Sequence, residues 1–433
     1  CALSLNAVLG FFANIFLYCL LRKIVNRSIA TFLVSVWIWS PYVMNQTING
    51  METTLALLLL FITIGYYWRI SQVSSSEYHS WLFLGLLLGI GFWARVDLAF
   101  LGVAIVLDQA WQGIRGDRRT LYFRVRNICY CSLIALVIAS PWMIFTVINT
   151  GDIIPISGKG VHQITSVTFN YRNPYHPGFP FMMFERFKKE FLLYQPLITL
   201  SKHIYWQLFI SSLGLVGFLL ALRDRQLRSL LRHVWFFQAF LLLSYIAIIG
   251  GFWHLNRYLY PVYTLMLFLH AATLRYVASK IKERRWIVPL LLLFVFIFYA
   301  IVYSFQYHSF FSKPRPSRYF AASGFARSHI PPKAKVGTFQ SGCLGYWLNN
   351  QVINLDGVLN KEAYFHLMNK AMDIYLEEQK IDYLIEEVYL FRKWNHYLEG
   401  QLSKNYSMVA VKPGRGWYQL GIYKRNPLST SRK

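Results

Sequence analysis

The chain is 433 residues long, 55% apolar and 18% aromatic, yet only 15% charged. An ordinary soluble domain is about 25% charged, so a wholly soluble globule is excluded, and so is disorder. The net charge of +25 raises nucleic acid as a partner, but the placement of the charges decides against it.

Taken in chain order, ten apolar stretches precede a change of composition: roughly 2–21, 29–43, 53–68, 81–93, 97–112, 128–148, 204–222, 232–250, 258–275 and 286–303. A full membrane span needs about 20 residues. The shorter stretches 81–93 and 97–112 read either as two short helices or as one kinked span. Buried helices of a large soluble protein would need far more polar surface than this chain has. The chain opens directly in an apolar run with Cys1, and no charged region or cleavage site precedes it. It therefore does not read as a signal peptide, and a native segment ahead of residue 1 is expected. The five Cys, at 1, 19, 129, 131 and 343, show no metal or redox spacing, and four lie in or beside apolar segments. No disulfide framework is implied.

With residue 2 placed on the outer side, the inner loops and their flanking helix ends hold 18 Lys and Arg, whereas the short outer loops hold two, Arg95 and Arg257. That bias is the positive-inside rule. It accounts for much of the basic charge as membrane orientation. Two long outer segments remain. One is 149–203, with `GDIIPISGKGVHQ` and a surface-helix candidate `FMMFERFKKEFLLY`, whose aromatic and basic residues suit the interface. The other is 304–433, with 18 Lys and Arg and 9 Asp and Glu. In it `AKVGTF`, `IDYLIEE` and `WYQLGIYKR` read as strands, and `KEAYFHLMNKAMDIYLEEQ` has the 3.6 period of a helix. The predicted fold is a polytopic α-helical membrane domain over 1–303 and a small extracytoplasmic α/β domain over 304–433.

Several polar residues stand out on the outer side. Glu52 opens a span; a carboxylate favoured by the helix dipole is the bland alternative to a functional one. Arg95 and Asp97 lie between two apolar stretches, where ionisable groups are expensive and must face protein or an aqueous cavity. They read either as a structural ion pair or as an anion-binding Arg with its supporting carboxylate. Lys159 sits in `SGKG`, which lacks the full pattern of a nucleotide phosphate loop. Flexible backbone with one Lys can still hold a phosphate, and a solvated Lys is the alternative. Arg257, three residues after His254, tolerates burial and binds phosphate bidentately. For Tyr258, membership of the interfacial aromatic belt is the bland alternative. Together with His162, these residues imply an outer-face cavity with cationic and anionic walls.

The order of motifs resembles the multi-span glycosyltransferases of the GT-C type, in particular the bacterial members grouped with the protein O-mannosyltransferase, aminoarabinose-transferase and rhizobial core-sugar transferase families. The residues carrying the resemblance are `NGMETTL` at 49–55, `ARVD` at 94–97, `SPW` at 140–142, `GDIIPISGKG` at 151–160, `NRYLYP` at 256–261 and `GTFQSGCLGYWLNNQVINLDGVLNKEAY` at 337–364. The resemblance implies transfer of a sugar from a polyprenyl-phosphate carrier to a lipid, glycan or protein acceptor, at the outer face of the bacterial cytoplasmic membrane. By position it matches Glu52, Arg95, Asp97, Lys159, Arg257 and Tyr258 to family residues; with the outer-face histidines added from their placement, Glu52, Asp97 and His162 are the catalytic candidates, and Arg95, Lys159, His254, Arg257 and Tyr258 the candidates for holding the lipid-linked donor. It also implies that the family's first span and first outer loop, with its acidic catalytic residue, precede residue 1. Asp356, matching the family's Asp-Gly, is expected to form an Asx-type turn.

The expected partners are the lipid-linked donor, the acceptor and membrane lipids, and no nucleic acid. No His/Cys/Asp cluster has metal-ligand spacing, and a divalent metal is left open. Two rivals stand beside the transferase. A transporter or flippase would place its charges nearer the midplane, often in two repeated halves, and no repeat is present. A truncated, non-catalytic relative would follow if the acidic loop were lacking.

Overall fold

The computed structural model describes residues 2–47, 52–71, 78–115, 118–153, 155–172, 204–245, 255–280, 287–311, 318–413 and 419–427. His254 and the segment `FMMFERFKKEFLLY` lie outside them. The chain divides into two units, one formed by 1–145, 182–248 and 252–312, the other by 146–181, 249–251 and 313–433.

The first unit is helical. In chain order it contains α1 (Ala2–Leu21), α2 (Arg27–Trp39), α3 (Pro41–Thr47), α4 (Thr53–Ser71), α5 (Tyr78–Ala94), α6 (Ala99–Ile114) and α7 (Arg118–Thr150), whose last residues reach the second unit. After α8 (Ile156–Arg172) of the second unit come α9 (Ile204–Arg223), α10 (Arg225–Ser244), α11 (Leu255–Tyr258), α12 (Tyr260–Leu265), α13 (Leu267–Lys280) and α14 (Ile287–Phe311). Among the described residues, Leu3–Leu21, Thr53–Ser71 and Leu121–Thr150 are long and apolar enough to cross a membrane. The stretch 29–43 is broken at Ser40, which is extended (φ −63°, ψ 126°) because Pro41 follows. The stretches 81–93 and 97–112 are two helices. Between them Arg95 is extended (φ −155°, ψ 124°), and a 3₁₀ turn at Val96–Leu98 leads into α6.

Helix starts follow the capping rules. The Asn26 side chain accepts from the Ile29 N–H at 3.0 Å, and Asp224 accepts from Gln226 and Leu227 at 2.8 and 3.1 Å. Helix–helix contacts use glycine. A Cβ on Gly85 would lie 2.4 Å from the Cys131 carbonyl of α7, and one on Gly217 would lie 1.9 Å from the Leu269 carbonyl of α13. With no hydrophobic drive between helices in lipid, such close approach is what holds them together.

The second unit is built on five strands: β1 (Val336–Thr338), β2 (Val352–Asn354), β3 (Tyr383–Glu387), β4 (Tyr406–Lys412) and β5 (Leu420–Arg425), in the order β2-β1-β3-β5-β4. β1 pairs parallel with β2 and β3, and β5 pairs antiparallel with β3 and β4. Every residue of β3 is buried, as befits a central strand covered on both faces. On one face α15 (Arg318–Arg327) and α16 (Ser341–Trp347) pack Ala322, Ala326 and Leu344 against Ile385 and Ile422. On the other lie α17 (Lys361–Met368), α18 (Met372–Glu378), α19 (Val388–Tyr397) and α20 (Gln401–Asn405). Their core includes Leu367, Leu384, Trp394 and Tyr423, and α8 adds Val167 to it. The single helix expected at `KEAYFHLMNKAMDIYLEEQ` is two, because Lys370 takes a left-handed φ of 50° and ends α17.

Candidate active site

In the helical unit, four chain segments bring one group of side chains together. Glu52 directly precedes α4, and its carbonyl accepts from Ala56 N–H at 3.0 Å. Its carboxylate therefore sits at a helix N-terminus, where the dipole favours negative charge. Arg95 and Asp97 come from the turn between α5 and α6, Tyr245 caps α10, and Arg257 and Tyr258 form the end of α11.

Arg95 is the hub. Its Nε donates to Asp97 Oδ1 at 3.0 Å, and its Nη2 bonds Asp97 Oδ2 in a buried ion pair. Nη2 also donates to the Tyr245 hydroxyl, and Nη1 to the Arg257 carbonyl, each at 3.4 Å. Tyr245 in turn donates to Asp97 Oδ2 at 2.7 Å. Both Asp97 oxygens are thus engaged, and most of the Arg95 donors point at protein. A buried charge needs such pairing.

Arg257 is the more available cation. Its Nη2 meets Glu52 Oε1 at 3.3 Å, with the two side chains 28% and 33% exposed. Its buried Nε–H has no acceptor among the described residues. The Tyr258 ring is stacked on Tyr245 at 4.7 Å with an 8° interplanar angle. The Arg257 and Arg95 guanidiniums lie 5.4 and 6.0 Å from its centroid. The result is an aromatic wall, one cation with a spare donor, and one carboxylate at a helix start.

Lys159 and His162 belong to the other unit, one turn apart on α8. Lys159 is ion-paired with Asp152, both side chains being more than a third exposed. Gly160 lets the helix approach the 357–358 backbone; a Cβ there would lie 3.1 Å from the Gly357 carbonyl. Asp356 accepts from Val358 N–H at 2.8 Å, and Gly357 has φ 75°. This is the Asx turn the sequence implied. Burial pushes the Asp356 carboxyl above its ordinary range. Among the described residues no group of three or more His, Cys, Asp or Glu is arranged to hold a metal.

Two features escaped the sequence. Tyr245 lies inside an apolar run, where a tyrosine gives no signal. The second is a buried network at the other ends of α4, α6 and α10. Tyr67 donates to Asp108 at 2.5 Å, Gln109 to Tyr67 at 2.6 Å and Gln112 to Asp108 at 2.8 Å, and Arg232 is ion-paired with Asp108. A carboxylate inside the apolar stretch 97–112 was the available sign of it.

Residues 2–145, about a third of the chain, match the family described as dolichyl-phosphate-mannose-protein mannosyltransferase. Residues 306–423 match a domain family of unknown function. No curated protein sequence matches the chain. Among solved structures, ArnT from Cupriavidus metallidurans in the apo state aligns with a TM-score of 0.52 and 11% identity, over 98% of this chain and 82% of that one. The same protein bound to undecaprenyl phosphate aligns with a TM-score of 0.51 and 12% identity, over 98% and 83%. The chain therefore has an ArnT-like polytopic α-helical membrane fold with a strand-containing extramembranous C-terminal domain.

Proposed function

We propose that the protein is a glycosyltransferase. It moves a hexose or pentose from a polyprenyl-phosphate carrier to a lipid, glycan or protein acceptor at the outer face of a bacterial cytoplasmic membrane. The observation that carries this reading is Arg257. A half-buried guanidinium next to the Glu52 carboxylate has an Nε–H with no acceptor among the described residues, on the helical unit of a fold shared with a protein crystallised with undecaprenyl phosphate.

In this mechanism the acceptor hydroxyl attacks the anomeric carbon. The bond between that carbon and the phosphate oxygen breaks, and the electron pair leaves with the carrier phosphate. Arg257 stabilises the charge that develops there. Glu52 takes the hydroxyl proton. A single displacement inverts the anomeric configuration. Asp97, with both oxygens engaged, holds Arg95, and Arg95 holds the Arg257 backbone through its carbonyl. Tyr258 supplies a face for the donor. Lys159, His162 and His254 stay candidates for the donor or acceptor side.

The test is Arg257→Ala in full-length protein reconstituted with polyprenyl-phosphate sugars. Transfer falls at least a hundredfold, in line with the loss of one oxyanion donor, while expression and membrane insertion persist. Arg257→Lys, which keeps charge but not the forked donors, recovers only part of the rate. Wild-type turnover in Arg257→Ala removes this residue from the mechanism.

A further inference from the structure

Arg257 and Tyr258 stand on α11, an element of four residues, barely one helical turn. So short a helix closes too few internal hydrogen bonds to fix itself. Where its side chains point is set by what anchors it from outside. The Glu52–Arg257 contact is partly exposed, and such a pair holds little. Two firmer anchors come from other helices. Arg95 Nη1 donates to the Arg257 carbonyl at 3.4 Å. The Tyr245 ring lies flat against the Tyr258 ring, with centroids 4.7 Å and planes 8° apart.

Both anchors lead back to Tyr245. Its ring is the stacking partner of Tyr258. Its hydroxyl donates to Asp97 Oδ2 at 2.7 Å and accepts from Arg95 Nη2 at 3.4 Å, which closes the pair that aims Arg95. Tyr245 follows the last turn of α10, where Leu241 and Ser244 are buried, so the anchor stands on a packed helix. Tyr245 itself is only 5% exposed, whereas the Arg257 side chain is 28% exposed. A ligand that meets Arg257 does not meet the Tyr245 hydroxyl, and the tyrosine acts through its neighbours.

We propose that Tyr245 is the positioning residue of the donor site. Its ring holds Tyr258, its hydroxyl steadies the Arg95–Asp97 pair, and Arg257 and Tyr258 are thereby presented together to the phosphate of a polyprenyl carrier. This inference rests on the transferase reading and adds to it the residue that builds the site.

The test is undecaprenyl phosphate binding to the full-length protein in nanodiscs, with the thermal midpoint of each variant measured beside it. Tyr245→Leu removes the ring and weakens binding about threefold to tenfold, the range that an aromatic pair is worth. Tyr245→Phe keeps the ring and recovers most of the affinity, since the two direct Arg95–Asp97 bonds remain. In a Tyr258→Leu background, Tyr245→Leu costs less than about twofold more, because the ring it held is gone. Tyr245→Met serves as the ring-free variant if the Leu variant does not fold. A residue that only packs the core would lower the midpoint and leave these affinities unchanged. Wild-type affinity in a folded ring-free variant, a Phe variant as weak as the Leu variant, or a full loss repeated in the Tyr258→Leu background would each overturn the proposal. Arg257→Ala separates it from the reading beneath it. A loss of at least about tenfold there keeps the donor site even where Tyr245 fails its test. Unchanged binding in Arg257→Ala overturns the donor reading, and this inference with it.

Discussion

Glu386 accepts hydrogen bonds from the N–H groups of Phe339 at 2.8 Å and Glu387 at 3.0 Å, and such bonds ordinarily favour the charged carboxylate. Burial wins here. The side chain is sealed in the second unit's core, and its pKa is pushed up to about 7. A carboxyl whose folded pKa lies above its unfolded value of about 4.3 contributes its full stability below the unfolded value. It loses that stability as pH rises toward 7. The shift is worth about 4 kcal/mol at most. Amide exchange in β1 and β3 of the full-length protein should therefore show an opening free energy that falls between pH 4.5 and pH 7, and then levels. A flat profile, or one that rises, would show that Glu386 is ionised throughout. The Arg95–Asp97–Tyr245 group is buried too, and there each charge is met by a bonded partner. Its charged members were legible in the sequence because ionisable residues beside apolar stretches must be accounted for. Tyr245 was not, since an aromatic in such a run is indistinguishable from core.

Packing between elements depends on positions that composition does not reveal. Gly217 on α9 sits where a Cβ would also lie 2.7 Å from Thr273 Oγ1 of α13. That hydroxyl donates to the Leu213 carbonyl of α9 at 2.7 Å, so the two helices are bonded as well as close. Gly217→Ala must push them apart and break this bond. The expected cost is about 1–3 kcal/mol, read as a lower midpoint in thermal or detergent unfolding. Gly102→Ala is the contrast. Its Cβ would meet only Leu88 methyls at 3.7 Å or more, so the midpoint should stay or rise, since Ala favours helix over Gly. Equal losses in both variants would mean that the close approach is not what matters. The sequence showed both glycines and most of the helices, because apolar run length is a strong signal. It did not show which glycine faces a neighbour. Nor did it show the three-residue strand β2, the mostly exposed edge strand β4, or that 156–172 is a helix contributing Val167 to the core of the C-terminal sheet. A very short element, an edge strand with little buried apolar face and chain-distant packing leave little periodicity to read.

At the scale of the molecule, the decisive quantity is the depth of the site. From Glu52 to Arg69, α4 rises 17 residues, about 26 Å at 1.5 Å each. From Arg232 to Tyr245, α10 rises 13 residues, about 20 Å. A hydrocarbon core is about 30 Å thick. If the Arg-rich ends of α4, α9, α10 and α13 lie at the cytoplasmic headgroups, then the Glu52–Arg95–Arg257 group lies near the opposite interface and not at the midplane. That depth suits a transferase reached by a carrier phosphate at the membrane surface, and is wrong for a transporter site. The orientation is open to direct measurement in a background with the five native Cys replaced. Lys404→Cys, exposed on the C-terminal unit, should react with an impermeant maleimide in intact spheroplasts. Arg225→Cys, exposed at the start of α10, should react only after lysis. The reverse pattern would put the site on the cytoplasmic side, where a donor sugar facing outward could not reach it. It would also leave the positive-inside bias of this chain without its explanation.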